Sequence, residues 1–315
     1  MSGNAEQADR INISISKQNL LVDNDINPTR AVFEVNKINE VLKQPNEYEV
    51  QVKSFKIDTT DVVEFNSDGT SKYQLGIAIL GGTDDNVYTS TFSDNTYQNP
   101  QGFCNSFNFN MSLAFTAAKA ASGYTGVNAP ILVYDSITER FVFYYDKALV
   151  TTPYSVRFFF SPAINSKINL PSRLNTTDNG YILLRQENTL FEKTINGVLC
   201  YFVPSKGFPS NFSDIDEIII QSSQIPVYDT FDDTQKDIRT SILKTIKYNY
   251  EDAIKGSIHV NYDNPDYYSI DSHYPIKQLD IQIFMKRKNG IVEPFILQQY
   301  DHFSLNLEFK KKQIF

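Results

Sequence analysis

The sequence predicts a mainly β protein, an antiparallel sandwich interrupted by a β-rich insertion containing one helix. Three observations carry that reading. Apolar and polar residues alternate with a period of two near both ends, as in Ile11, Ile13, Ile15 and in Phe303, Leu305, Leu307, Phe309. The chain is 13% aromatic, with Tyr 19, Phe 23 and no Trp, and such rings pack well on a half-buried pleated surface. Loops rather than helices separate the strand-like runs of residues 218–309, which implies antiparallel neighbours.

The elements follow in order. Residues 1–10 are polar, lack the apolar core of a signal peptide, and read as a mobile arm. Ile11, Ile13 and Ile15 open the first strand; residues 33–35 and 48–57 supply the next two. Tyr48, Val50 and Val52 share a face, but Phe55 and Ile57 have the opposite parity, so an extra residue near Lys53 or Ser54 predicts a β-bulge. Residues 73–80 form a strand that bends at Gly81-Gly82, and a polar loop over 83–98 follows. Asn99 then predicts an N-cap, Pro100 a first helical position and Gly123 a stop. Phe103, Phe107, Met111, Phe115 and Ala118 fall on one face of that helix.

Residues 131–134 and 141–145 form a hairpin around Asp135-Ser136, and 156–160 is a strand broken by Ser161-Pro162. Asn179-Gly180 and Asn196-Gly197 are turn signals. Ile218, Ile219 and Ile220 are apolar on both faces, which places their strand centrally in a sheet. An acidic loop over 229–237 leads to a strand over 242–250. Ile258, Val260 and Tyr262 alternate next, then Leu279, Ile281 and Ile283. Asn289-Gly290 turns the chain into its last strand.

Charge and cysteine content narrow the class. A formal net charge of -8 repels nucleic acid at long range. The one dense basic block, Lys310, Lys311 and Lys312, reads as a soluble tail or as a weak contact to nucleic acid or an acidic neighbour. Apolar runs are strand-sized, shorter than a membrane span. Without a secretion signal, Cys104 and Cys200 read as reduced core residues, and the expectation is a soluble protein made inside the cell.

No catalytic, cofactor-binding or metal-binding residue is predicted. His259, His273 and His302 lack the spacing of metal ligands, and Gly76, Gly81 and Gly82 lack the Lys-Ser/Thr that phosphate binding requires. Asp23, Asp25, Asn27 and Glu34 fit a calcium loop in spacing, but Pro28 stands where the sharp turn needs Gly, so a polar turn is the expectation. Asp232-Asp233 reads as a solvated pair. The triplets at Asn12, Asn110, Asn175 and Asn211 are chance glycosylation matches in an Asn-rich chain.

Taken together, the strands INISISKQNLL and YEVQVKSFKI, the helix NPQGFCNSFNFNMSLAFTAA and the hairpin APILVYDSITERFVFYY form a familiar succession. The segment VRFFFSPAINSKINLPSRL and the block from IIIQSSQIPVYD to LDIQIFMKRKNGIVEPFILQQYDHFSLNLEFKKK complete it. In order and texture, over nearly the whole chain, it resembles the penton (minor capsid) proteins of virophages and Polinton-type elements, Mavirus-like members included. That resemblance implies an antiparallel single jelly roll, residues 11–65 plus 216–315, with residues 66–215 inserted as an outer domain. It further implies a non-enzymatic homopentamer at the fivefold vertices of an icosahedral virion, made in the host cytoplasm. Its neighbour is then a trimeric double-jelly-roll major capsid protein. The competing expectation is a jelly-roll appendage that binds a host receptor or glycan, using the tyrosines of residues 262–274 as a stacking platform. Against it stands the simpler role of those rings as filler at a sheet edge.

Overall fold

The computed structural model describes residues 10–21, 29–36, 42–84, 86–151, 153–171, 175–178, 181–184, 191–207, 211–229, 238–263, 266–297 and 301–312. The chain divides into two compact units, Met1–Val62 with Ile215–Phe315, and Val63–Asp214.

In the first unit, eight strands of five residues or more are present among the described residues. In chain order they are Arg10–Ser16, Val32–Asn36, Tyr48–Asp58, Ile215–Gln221, Ile242–Lys247, Ser257–Asn261, Gln278–Arg287 and Phe303–Lys311. One sheet takes the first, eighth, third and sixth strands in that spatial order; the other takes the second, seventh, fourth and fifth. Every pairing is antiparallel. All but one of the steps along the chain change sheet, which is the winding of a jelly roll.

The alternation read from the sequence lies on the interior. Ile13, Ile15, Val50, Val52, Phe55, Ile57, Leu305, Leu307 and Phe309 are buried from one sheet; Phe33, Ile218, Ile220, Leu279, Ile281 and Ile283 are buried from the other. Phe33 and Phe303 stack across the gap at 3.8 Å between ring centroids. The bulge falls at Lys53: Asn306 pairs with Ser54 and Leu307 with Val52, so Lys53 has no opposite number. That extra residue turns both Val52 and Phe55 inward. The triple isoleucine strand is flanked on both sides, as its two apolar faces required. Ile242–Lys247 ends sooner than residue 250, because Asn249 accepts the Glu251 N–H at 3.0 Å and starts the short helix Tyr250–Ala253.

The second unit is built around the helix Pro100–Ser122. Asn99 caps it by accepting the Gly102 N–H at 2.9 Å, and Gly123 ends it in the left-handed region at φ 73. Phe103, Phe107, Met111, Phe115 and Ala118 are all buried. They pack between two sheets. One runs Phe191–Ile195, Val198–Pro204, Arg140–Asp146, Ile131–Asp135; the other runs Asn175–Asp178, Tyr181–Leu184, Ser155–Phe160, Gln74–Leu80, Tyr88–Thr91. Edge-on ring contacts knit the core: Phe103 to Phe141 at 5.9 Å, Phe107 to Phe143 at 6.0 Å and Phe143 to Phe158 at 4.9 Å. The glycine pair after residue 80 serves close approach. A Cβ on Gly82 would lie 2.1 Å from the Ser122 carbonyl oxygen, to which Thr83 N–H donates.

Two details of the second unit differ from expectation. The stretch read as a polar loop over 83–98 holds two strands, Tyr88–Thr91 paired with Gln74–Leu80 and Asp94–Tyr97 paired with Phe65–Asp68, because backbone pairing along a sheet edge does not need apolar side chains. Ser161-Pro162 does not merely break a strand; it starts a second helix, Pro162–Ile168, with Ser161 as N-cap and Asn169 as a left-handed C-cap. The same capping grammar operates there as at Asn99-Pro100. Asn196-Gly197 turns between its strands as expected, both residues at positive φ, whereas Asn179-Gly180 lies outside the described residues.

The ends of the second unit meet. Asp214 N–H donates to the Glu64 carbonyl at 2.8 Å, and Glu64 N–H donates to Tyr97 at 2.8 Å. A compact unit with its own core and adjoining ends has what a domain needs to fold alone. Expressed alone, Val63–Asp214 is expected to unfold in one cooperative urea transition. Cys104 and Cys200, both buried, react with a thiol reagent only beyond it; a fragment labelled in buffer at the denatured rate would overturn this.

Candidate assembly surfaces

The residues with chemical potential are scattered. His259, His273 and His302 are exposed on separate segments. Among the described residues no group of three or more His, Cys, Asp and Glu is placed to hold a metal ion. Glu34 sits in a strand; Asp23, Asp25, Asn27 and Pro28 lie outside the described residues, as do Asp232 and Asp233. Cys104 and Cys200 are buried free thiols, and burial pushes Cys104 up to about 12 and raises Cys200 as well. Burial likewise raises Tyr124 and Tyr134 to about 12, which keeps both phenols neutral.

The basic run at the C-terminus is not a free tail. Lys310 and Lys311 belong to the last strand, opposite Glu49 and Tyr48. Lys311 pairs with Glu47 at 3.5 Å, and Lys312 donates from its ammonium to the Asn46 carbonyl at 2.9 Å. The Lys310 ammonium lies 5.2 Å over the Tyr267 ring. The last strand is longer than its apolar alternation, because backbone pairing continues into the lysines.

The tyrosine loop is likewise tied down. Tyr268 pairs with Val50 in the sheet, and the Tyr267 hydroxyl accepts from Gln51 Nε2 at 2.8 Å. The Tyr262 ring lies 4.7 Å below the Lys244 ammonium, while Tyr274 is 83% exposed. One projecting ring does not make a stacking platform, and the edge-filling role accounts for the others.

Among the buried ionic groups that were not singled out in the sequence, two have partners that define their role. Glu308 is 2% exposed, on the strand face opposite Leu307 and Phe309. It accepts from Gln51 Nε2 at 2.7 Å and faces Arg10 at 3.5 Å and Lys53 at 3.4 Å. The bulge therefore also delivers a cation to a buried carboxylate. Lys167, 3% exposed, donates to the carbonyls of Asn211 and Phe212 and, at 2.6 Å, to Asp214. Its ammonium is 4.3 Å from the Phe65 ring centroid. It fastens the segment by which the chain leaves the second unit.

The third feature is a surface. Phe109 is 64% and Leu113 50% exposed on the helix face turned away from the core. Nearby, Asn108 bonds both the N–H and the carbonyl of Leu132, at 2.6 and 3.0 Å, so the helix occupies the hydrogen-bonding edge of strand Ile131–Asp135. The available signal was the helix composition: Lys119 is its one charged residue in 23.

The architecture is that of a single jelly roll carrying a β-rich unit between its third and fourth strands. Proteins of viral shells share it. A chain of the Sputnik virophage, seen by cryo-EM, matches with a TM-score of 0.76 at 15% identity, covering 97% of this chain and 99% of that one. The crystal structure of the mavirus penton protein matches with a TM-score of 0.67 at 13% identity, covering 96% of this chain and 99% of that one. No protein-family model and no curated protein matches by sequence. At these identities the likeness establishes the fold.

Two outcomes follow for stability. Lys167→Met keeps the length of the stem but leaves two carbonyls without their ammonium, and is expected to cost about 2–3 kcal/mol in urea unfolding. An unchanged midpoint would contradict the fastening role. Hydrogen bonds from Thr70, Tyr88, Thr138 and Lys247 hold Asp68, Asp84, Asp135 and Asp216 below the usual 3.8. Stability from these groups is present above that value and is lost as pH falls through their lowered folded values. The urea midpoint is expected to drop on acidification below about pH 4, less steeply in Asp216→Asn; identical acid slopes would refute the assignment.

Proposed function

We propose that this chain is a structural capsid protein, the penton of an icosahedral virus, acting by assembly rather than catalysis. Five copies close a ring at each fivefold vertex, in the virion, among trimeric double-jelly-roll major capsid proteins. The inserted unit faces outward, and the protein is made in the host cytoplasm. The observation that carries the reading is that the fold likeness to a penton protein runs through both units rather than the jelly roll alone.

The physics suits the role. A vertex needs stiff subunits, and two antiparallel sheets interlocked by Phe33, Phe55 and Phe303 resist shear. One sheet edge is blunted: Ile242–Lys247 buries Leu243 and Ile246 but also carries Lys244 and Lys247, and lysines on an edge discourage open-ended strand addition. Such a subunit is suited to closed assembly through side-chain faces.

Native mass spectrometry and negative-stain imaging of the purified chain, alone and added to shells of the major capsid protein, test the proposal. Fivefold rings in solution or at the shell vertices are expected. A trimer, or a chain that leaves the vertices empty, would sink it.

A further inference from the structure

The long helix has two faces that are both depleted of charge, and only one of them is buried. In a chain that is 21% charged, a surface helix normally turns Lys, Glu or Asp to water. Pro100–Ser122 does not: Asn105, Ser112, Thr116 and Ala117 surround the exposed Phe109 and Leu113, and Lys119 is half-buried near its end. Phe109 and Leu113 are four residues apart, hence side by side on the helix. The residues C-terminal to them are small and allow close backbone approach.

The chemistry of this face selects its occupant. It has no charge with which to recognise an acidic or basic partner. Charge depletion around an aromatic anchor is the composition of permanent contacts between copies of one protein, whereas transient partners meet more polar surfaces. The same unit also offers a matching surface. On the outer face of the sheet containing Ile131–Asp135, Val133 pairs with Val142, and Phe202 lies between Tyr144 and Phe191. Val133 is 38% and Phe191 61% exposed, and Phe191 stacks on Phe202 at 5.4 Å. Two unlike exposed apolar patches on one subunit supply the two partners of a head-to-tail contact, one given and one received.

We infer that the outward face of the helix, centred on Phe109 and Leu113, is an assembly surface that packs on the inserted unit of a neighbouring copy of this chain. The inference rests on the homopentamer proposed above and assigns it a second contact layer, made by the inserted units.

The test compares the full chain with the double variant Phe109→Asp/Leu113→Asp and with Ile137→Asp, a control at a hairpin tip that is 91% exposed. Circular dichroism and urea unfolding first establish that all three are folded; the changed positions are exposed and leave the core untouched. Ring formation is then followed by native mass against concentration. The double variant is expected to need about tenfold more protein, or higher, for half-assembly, the effect of losing one central anchor. The control is expected to assemble like the parent. Parent rings with an unaltered double variant would overturn the helix contact alone. A parent that forms no ring, in solution or on shells, would overturn the pentamer and this contact with it.

Discussion

Phe303–Lys311 is hydrogen-bonded on both sides, to Arg10–Ser16 on one and Tyr48–Asp58 on the other. The final strand of the chain is thus an interior strand of its sheet, and the jelly roll depends on that pairing. Its inward residues, Phe303, Leu305, Leu307 and Phe309, complete an interior whose other walls come from the first sixty residues and the last hundred. Register matters here, because a one-residue slip would turn four apolar side chains to water and bury their polar neighbours. The Lys53 bulge and the Gln51–Glu308 contact both act on register: one sets the parity of the neighbouring strand, the other pins a polar pair at one position of the ladder.

The insertion is compatible with that constraint because its two ends are joined. Asp214 bonds to Glu64, and Lys167 fastens the residues just before Asp214. A unit so closed replaces a short crossing between the third and fourth strands without stretching them, and loop length itself costs little. Its core is aromatic rather than aliphatic, with Phe103, Phe107, Phe141, Phe143, Phe158 and Phe160 buried around one helix. The jelly roll, by contrast, relies mainly on isoleucine, leucine and valine.

Much of this was legible in the sequence, for reasons that differ by element. Strict alternation made the last strand and Ile11–Ile15 readable, and the parity switch after Val52 located the bulge. The Asn-Pro start and Gly stop delimited the long helix to the residue. Ser161-Pro162 was ambiguous because the pair both ends strands and opens helices, and only seven helical residues follow. The winding order of the eight strands is not a local property; it entered through resemblance. The pairings of Glu308 and Lys167 were invisible, since their partners are brought together across 257 and 47 positions. The lysines at the C-terminus misled because composition alone does not distinguish a solvated tail from the end of a ladder.

An interior strand that comes last of the eight in chain order has a consequence for the order of folding. As the polypeptide leaves the ribosome, Arg10–Ser16 and Tyr48–Asp58 emerge well before Phe303–Lys311, the strand that lies between them. The unit Val63–Asp214, with its contacts internal, is free to fold during that wait. The sheet around Phe303–Lys311 closes through contacts of large sequence separation, which is the slow route. The sandwich therefore waits on its eighth strand, whatever the order in which the other seven come together.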